Sequence, residues 1–163
     1  MEDQAVLALA AEVLALARAK GWKIATAESC TGGLISGALT AIAGSSDVFD
    51  RGFTTYSNEA KMEMLGVLPT TLDRVGAVSE EVAGEMASGA IAFSLADLAV
   101  SVTGIAGPGG SEFKPEGRVC FGIAIPDARA RVETVEFGAI GRSEVRSATV
   151  LHALTLLKAA LSQ

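Results

Sequence analysis

The sequence predicts an α/β fold: a single-domain three-layer sandwich, with a mixed, mostly parallel sheet and helices on both faces. Three observations lead there. Helical and strand-like segments alternate along the chain, and an antiparallel-looking strand pair comes late. The chain has 163 residues, the size of one domain, and half of them are hydrophobic, so a sizeable core can be buried. Neither a linker nor a repeat divides residues 1–163.

Gln4 to Lys20 reads as a helix, rich in alanine and leucine and ended by Gly21. Trp22 to Ala27 reads as a short apolar strand. Gly32 to Ile42 reads as a second helix, with Leu34, Ala38 and Ala41 on one face. Gly44-Ser45-Ser46 is a loop. Phe53 to Tyr56 reads as a strand, with Thr54 and Thr55 β-branched. Ser57 and Asn58 cap a short helix that runs to Leu65 and stops at Gly66. Ser79 to about Leu95 carries the best helix signal, with Ser79 at the cap and two glutamates in the first turn. Leu98 to Thr103, "LAVSVT", is an apolar strand, and the glycine- and proline-rich stretch Gly104 to Gly117 follows it. Val119 to Ile125 and Arg131 to Phe137 form the strand pair around Pro126-Asp127. Arg142 to Leu161 is the closing helix, with the stripe Val150, Leu154, Leu157 and Leu161.

Composition narrows the function classes. The net charge is −6, which argues against a nucleic acid partner, since non-specific backbone binding needs a basic face. Aromatic residues make up only 5%, too few for base stacking to be expected. Cys30 and Cys120 show neither metal spacing nor a disulfide framework, which fits free thiols in a reducing compartment. The start, "MEDQ", is acidic and unlike a signal peptide. The apolar run Ala5 to Ala17 falls short of the roughly 20 residues of a membrane span. A cytoplasmic protein with no membrane partner is expected.

Several chemistries lack their residues. The one histidine, His152, lies deep in the last helix and reads as a helix residue with a satisfied ring, so a Ser-His-Asp triad is not expected. No phosphate-loop motif is present, and "GIAGPGG" does not open a helix directly after a strand. A serine without histidine needs another base, and a lysine can serve if its ammonium is destabilised. Ser29 stands at a strand-to-helix turn in "ATAESCTGG", where it is either a helix cap or a projected nucleophile. N–H groups of the following helix could hold an oxyanion there, and Gly32 and Gly33 let the backbone approach a ligand. Cys30 is the rival nucleophile, but it also packs well as a small hydrophobe. Lys61, in "TYSNEAK", stands at a helix start against the dipole; it is either the base or a solvated side chain. Tyr56 ends the strand before it. Thr103 ends the strand before the glycine-rich loop, a common place for ligand contacts in open sheets. Arg142 and Arg146 share a helix face and could grip a phosphate, or be a surface pair around Glu144.

"TAESCTGGLISGALT", "GSSDVFDRGFTTYSNEAKMEMLGV", "GAVSEEVAGEMA" and "VTGIAGPGG" together resemble the C-terminal domain family of the competence/damage-inducible protein CinA. The resemblance runs from about Trp22 to the last helix. CinA itself carries an extra N-terminal domain; none is expected here, and the chain resembles the family's stand-alone form. The resemblance implies a compact α/β sandwich that hydrolyses the amide of nicotinamide mononucleotide to nicotinic acid mononucleotide and ammonia. It implies neither a metal nor an organic cofactor. Ser29 falls on the family's nucleophile, Lys61 on its base with Tyr56 beside it, Thr103 on a site-lining position, and Arg142 on its late arginine. Cys30, Thr31, Gly32, Gly33 and Gly104 complete the implied substrate-binding set. Gly141 stands where the family commonly has an acid, and "SEFKPEGRV" is shorter and more charged than the usual loop. A homo-oligomer is expected, of a size the sequence does not fix. The alternative is a non-catalytic domain that binds a nucleotide and regulates a partner, in connection with competence or DNA damage.

Overall fold

The computed structural model describes residues 3–163. Its sheet is built from β1 (Ile24–Glu28), β2 (Phe49–Thr54), β3 (Leu98–Gly104), β4 (Arg118–Ala124) and β5 (Arg131–Glu136), in the spatial order β2-β1-β3-β4-β5. β1 pairs in parallel with β2 and with β3, while β4 is antiparallel to both β3 and β5. Only β4 therefore runs against the rest. Because β2 and β3 flank β1 on opposite sides, the chain reverses its direction of travel across the sheet after β2. Crevices at the carboxyl ends of strands form at such points. Ser29, Thr55 and Thr103 all emerge there, with Glu28 in register with Thr54 on one side and Val102 on the other.

One face of the sheet carries α1 (Gln4–Lys20), α2 (Leu34–Thr40) and α6 (Arg142–Leu161). Large side chains fill this layer: Leu14, Leu98, Val100, Phe121, Leu154 and Leu157 are all fully buried. The other face carries α3 (Asn58–Leu65), α4 (Pro69–Val75) and α5 (Glu80–Ala92), packed on smaller residues such as Ala25, Ala27 and Ala99. Small residues let these helices come close. At Gly89 of α5 any Cβ would run into the backbone carbonyl of Leu65, so this glycine seats α3 against α5. The predicted stripe of α6, Val150, Leu154, Leu157 and Leu161, is buried.

α1, α3 and α6 have the expected limits, and Gly21 and Gly66 close the first two in the left-handed region. Three differences have local causes. β2 begins at Phe49, not Phe53; Asp50 and Arg51 disguise an edge strand whose side chains are half exposed. α5 ends at Ala92, not near Leu95, because Ser94 Oγ bonds back to Ala90 O and Leu95 N–H is taken by Asp50. α4 was not expected at all. It starts on Pro69, and Glu85 of α5 accepts from Leu68 N–H and Thr71 Oγ1, so a neighbouring helix supplies its cap. Among the described residues no helix is long and apolar enough to cross a membrane.

Candidate active site

β1 runs without interruption into the loop that begins at Ser29. All five of its residues are buried, and the last is Glu28, a carboxylate with no exposure. Its two oxygens accept from the Thr31 hydroxyl, from Ile35 N–H at 2.9 Å, and from Ser36 N–H and Oγ at 2.9 and 3.0 Å. One side chain therefore ties both ends of the loop that holds Ser29 to Gly33. Gly33 turns the chain into α2 with φ of 107°, a conformation that a side chain would strain. From outside, Arg146 of α6 donates to Cys30 O at 3.2 Å and Thr31 O at 3.3 Å. Ser29 N–H is fixed to Val102 O of β3.

Ser29 Oγ faces Lys61 Nζ at 2.9 Å. Lys61 is 1% exposed, among the largest fully buried side chains of the protein. Its other partners are Thr55 O at 2.8 Å and Tyr56 O at 3.4 Å. An ammonium has three N–H donors, one for each of these oxygens. After losing one proton, the amine keeps two donors for the carbonyls and turns a lone pair toward the Ser29 hydroxyl. Burial holds the Lys61 pKa below the ordinary lysine value, against the opposing fields of Cys30 and Glu112. The arrangement can thus exist in a proton-accepting form.

Cys30 lies in the wrong state for attack. Burial pushes its thiol up to about 11, with the Glu28 charge adding to the effect, so little thiolate exists near neutrality. Its backbone is more useful than its sulfur. The Cys30 N–H, next to Ser29, donates to no other residue among those described. The first N–H groups of α2 are engaged within the protein: Leu34 donates to Thr31 O, and Ile35 and Ser36 donate to Glu28. An oxyanion at Ser29 would therefore be met by the loop's own Cys30 N–H.

The pair opens on a cleft of about 370 Å³. Ser29, Cys30, Tyr56, Lys61, Thr103, Gly104 and Arg142 all line it, so most of the expected set meets in one place. Thr103 Oγ1 donates to Ala77 O at 2.9 Å, which ties β3 to the turn before α5. Arg142 donates to Gly107 O and, at 2.8 Å, to Tyr56 OH, and is exposed at the rim. Three expected ligand-binding residues stand elsewhere. Thr31, Gly32 and Gly33 shape the loop behind Ser29 and do not line the cleft. Arg146 also lies behind that loop, so of the two arginines only Arg142 faces the cleft. His152 is remote: its ring packs edge-on against Phe121 and lies 3.3 Å from Glu133.

Two contributors were not singled out by the sequence. Glu28 sits beside Ser29 in the motif, yet its strand position gave no sign that it would be buried. Glu112, on the far loop, lines the cleft. Among the described residues no group of three or more metal-binding side chains gathers anywhere.

Fold and site together define a mixed α/β domain that presents a serine and a buried lysine in one cleft at the carboxyl ends of parallel strands. The chain belongs to the CinA family: the model of the CinA C-terminal domain matches residues 6–161. It is 50% identical over 159 residues to the nicotinamide-nucleotide amidohydrolase PncC of Enterobacter agglomerans, covering 97% of each chain. It is 52% identical over 148 residues to a putative competence-damage inducible protein of Caldicellulosiruptor bescii, covering 90% of this chain but 35% of that one. The crystal structure of the competence/damage inducible protein CihA from Agrobacterium tumefaciens superposes with a TM-score of 0.95 at 49% identity, over 100% of this chain and 99% of the other.

Proposed function

We propose that this protein is a nicotinamide-nucleotide amidohydrolase that converts nicotinamide mononucleotide to nicotinic acid mononucleotide and ammonia, and so returns pyridine nucleotide for reuse. The observation that carries the reading is the 2.9 Å contact between a buried Lys61 and Ser29 at the floor of the cleft. The amidohydrolase name borne by the Enterobacter relative, which matches nearly end to end, supports the substrate.

Neutral Lys61 takes the Ser29 hydroxyl proton as Oγ attacks the carboxamide carbon. The Cys30 N–H meets the oxyanion. Lys61 then hands the proton to the departing nitrogen, the C–N bond breaks, and ammonia leaves an ester on Ser29. Water attacks that ester, Lys61 takes a proton from it, and returns one to Ser29 Oγ as the acid is released. Arg142 binds the 5′-phosphate at the rim. Its bonds to Gly107 and Tyr56 use two N–H groups of five, which leaves donors for an anion. Purified protein should release ammonia and nicotinic acid mononucleotide in equal amounts. Failure to release ammonia from this substrate would reject the reading.

A further inference from the structure

The loop from Ser111 to Arg118 is rich in charge, and nearly every charge is occupied. Lys114 donates to Val75 O at 2.7 Å and Val78 O at 2.6 Å. Glu116 accepts from Gly109 N–H. Arg118 pairs with Glu136 of β5. The backbone is closed on itself by the bridge between Ser111 and Lys114. Glu112 alone of these charged side chains has no hydrogen-bond or ion-pair partner among the described residues, and it is the one that lines the cleft. Its carboxylate lies over Gly76, where a Cβ would collide with it and also crowd the Lys114 ammonium, a neighbouring cation that stops short of an ion pair with Glu112.

Glu112 and Arg142 give the cleft two poles. Arg142 is held between Gly107 and Tyr56, whereas Glu112 is held over the turn that follows α4. The Glu112 field reaches Lys61, where it favours the ammonium. It must then also reach a ring whose carboxamide rests on Ser29. The proposed substrate has matching poles: an anionic phosphate, and a ring nitrogen that is cationic because it bears the ribose.

We propose that Glu112 is a specificity residue that selects a cationic, N-substituted pyridinium carboxamide over a neutral ring of the same size. This rests on the amidohydrolase reading for its substrate class, but it concerns recognition and can fail separately. The unpaired carboxylate is stabilised when the pyridinium arrives, and a neutral ring offers it nothing. An exposed pair of this kind is screened, so the expected preference is modest, about fivefold.

The test uses two ligands that differ in ring charge and share the phosphate: nicotinamide mononucleotide and its reduced dihydro form, whose ring is neutral. Binding is measured by calorimetry on Ser29→Ala, which cannot turn over, with and without Glu112→Gln or Glu112→Lys. The nucleotide with the cationic ring should bind about fivefold tighter than the one with the neutral ring, Glu112→Gln should bring them to near parity, and Glu112→Lys should reverse the order. Ammonia release by the wild type is measured in parallel. Turnover by the wild type with a ring preference untouched by Glu112→Gln overturns this inference and leaves the amidohydrolase reading standing. A charge preference that Glu112→Gln abolishes, without turnover by the wild type, supports the inference and rejects that reading. Failure of both ligands to bind overturns both.

Discussion

Two loops build the cleft, and they are made differently. The loop that carries Ser29, Ser29 to Gly33, is buried from Ser29 to Thr31, and it is tied by Glu28 from within and Arg146 from behind. The glycine-rich loop, Gly104 to Gly117, is mostly exposed and is tied to its surroundings by charged side chains. Internal ties are concentrated around Ser29, where we propose that bonds are made and broken. Charge at the surface is concentrated where a ligand would be recognised. Substitutions in the first loop and its lysine should therefore strike turnover, and those around the second should strike affinity and selectivity.

The largest effect is expected at Ser29. Ser29→Ala should abolish ammonia release while circular dichroism and the melting temperature stay near wild type, because a methyl group cannot attack a carbonyl. Cys30→Ala should keep most activity, since its thiol is held up at about 11 and takes no part. A dead Cys30→Ala beside an active Ser29→Ala would reverse the assignment.

Lys61→Met comes next. It keeps the stem, removes the amine, and should lower kcat by at least about 10²-fold. The folded pKa of Lys61 lies below the ordinary 10.5. Activity should thus fall on the acid side as the amine becomes protonated. Stability has its own sign. Between the depressed folded pKa and 10.5 the unfolded chain binds more protons at this site than the native one, so stability rises with pH across that window. Denaturant titrations should show that rise in the wild type and its loss in Lys61→Met. A flat acid limb together with near-wild-type turnover of Lys61→Met would remove the lysine from the reaction.

Glu28→Gln should act on the same loop through its scaffold. The amide can accept from at most part of the four donors that the carboxylate serves. Hydrogen bonds to a charged group contribute about 1.5–3 kcal/mol each, so a loss of about 2 kcal/mol of stability is expected, or several degrees in melting temperature. A displaced Cys30 N–H should also lower kcat about tenfold with KM little changed. A lower melting temperature with kcat untouched would make Glu28 purely structural.

The contrast between the loops also explains what the sequence could reveal. Ser29 and Lys61 stood out as candidates by position, a hydroxyl at a strand-to-helix turn and a lysine at a helix start, and the roles proposed for them came with the resemblance. Their 2.9 Å contact was not legible, since it depends on α3 being seated against α5 at Gly89. Helices with their own side-chain caps and closing glycines, such as α1 and α3, were read to the residue. α4 was missed because its cap is Glu85, which lies on another helix. Thr31, Gly32 and Gly33 looked like ligand contacts, yet none of them lines the cleft. The pairing of charges around the second loop is long-range, and nothing in "SEFKPEGR" says which glutamate remains free.

Arg142→Ala should separate recognition from chemistry at the rim. It should lower kcat/KM for nicotinamide mononucleotide about 10- to 100-fold, allowing for the solvent that screens this exposed side chain, and leave nicotinamide riboside little changed. Added salt should weaken nucleotide binding in the wild type and weaken it less in the variant. Arg146→Ala should behave unlike Arg142→Ala, with a loss in kcat for nucleotide and riboside alike, because it releases Cys30 O and Thr31 O and not a phosphate. Equal processing of nucleotide and riboside by the wild type would show that no phosphate site operates.

The smallest effect is expected at Lys114, which touches neither Ser29 nor the proposed phosphate site. Its ammonium joins the glycine-rich loop to the turn between α4 and α5 through Val75 O and Val78 O. That turn also holds Ala77, whose carbonyl accepts from Thr103 at the end of β3. Lys114→Met should free the loop while keeping most of the apolar stem. KM should then rise about three- to fivefold, because the loop must be ordered again each time substrate binds. The kcat should change by less than about twofold, since the loop that carries Ser29 has its own ties and shares none with Lys114. Hydrogen exchange should quicken in residues 109–117 and stay slow in residues 28–36. Faster exchange in both segments would show that the two loops are one cooperative unit, and the division of labour between them would not hold.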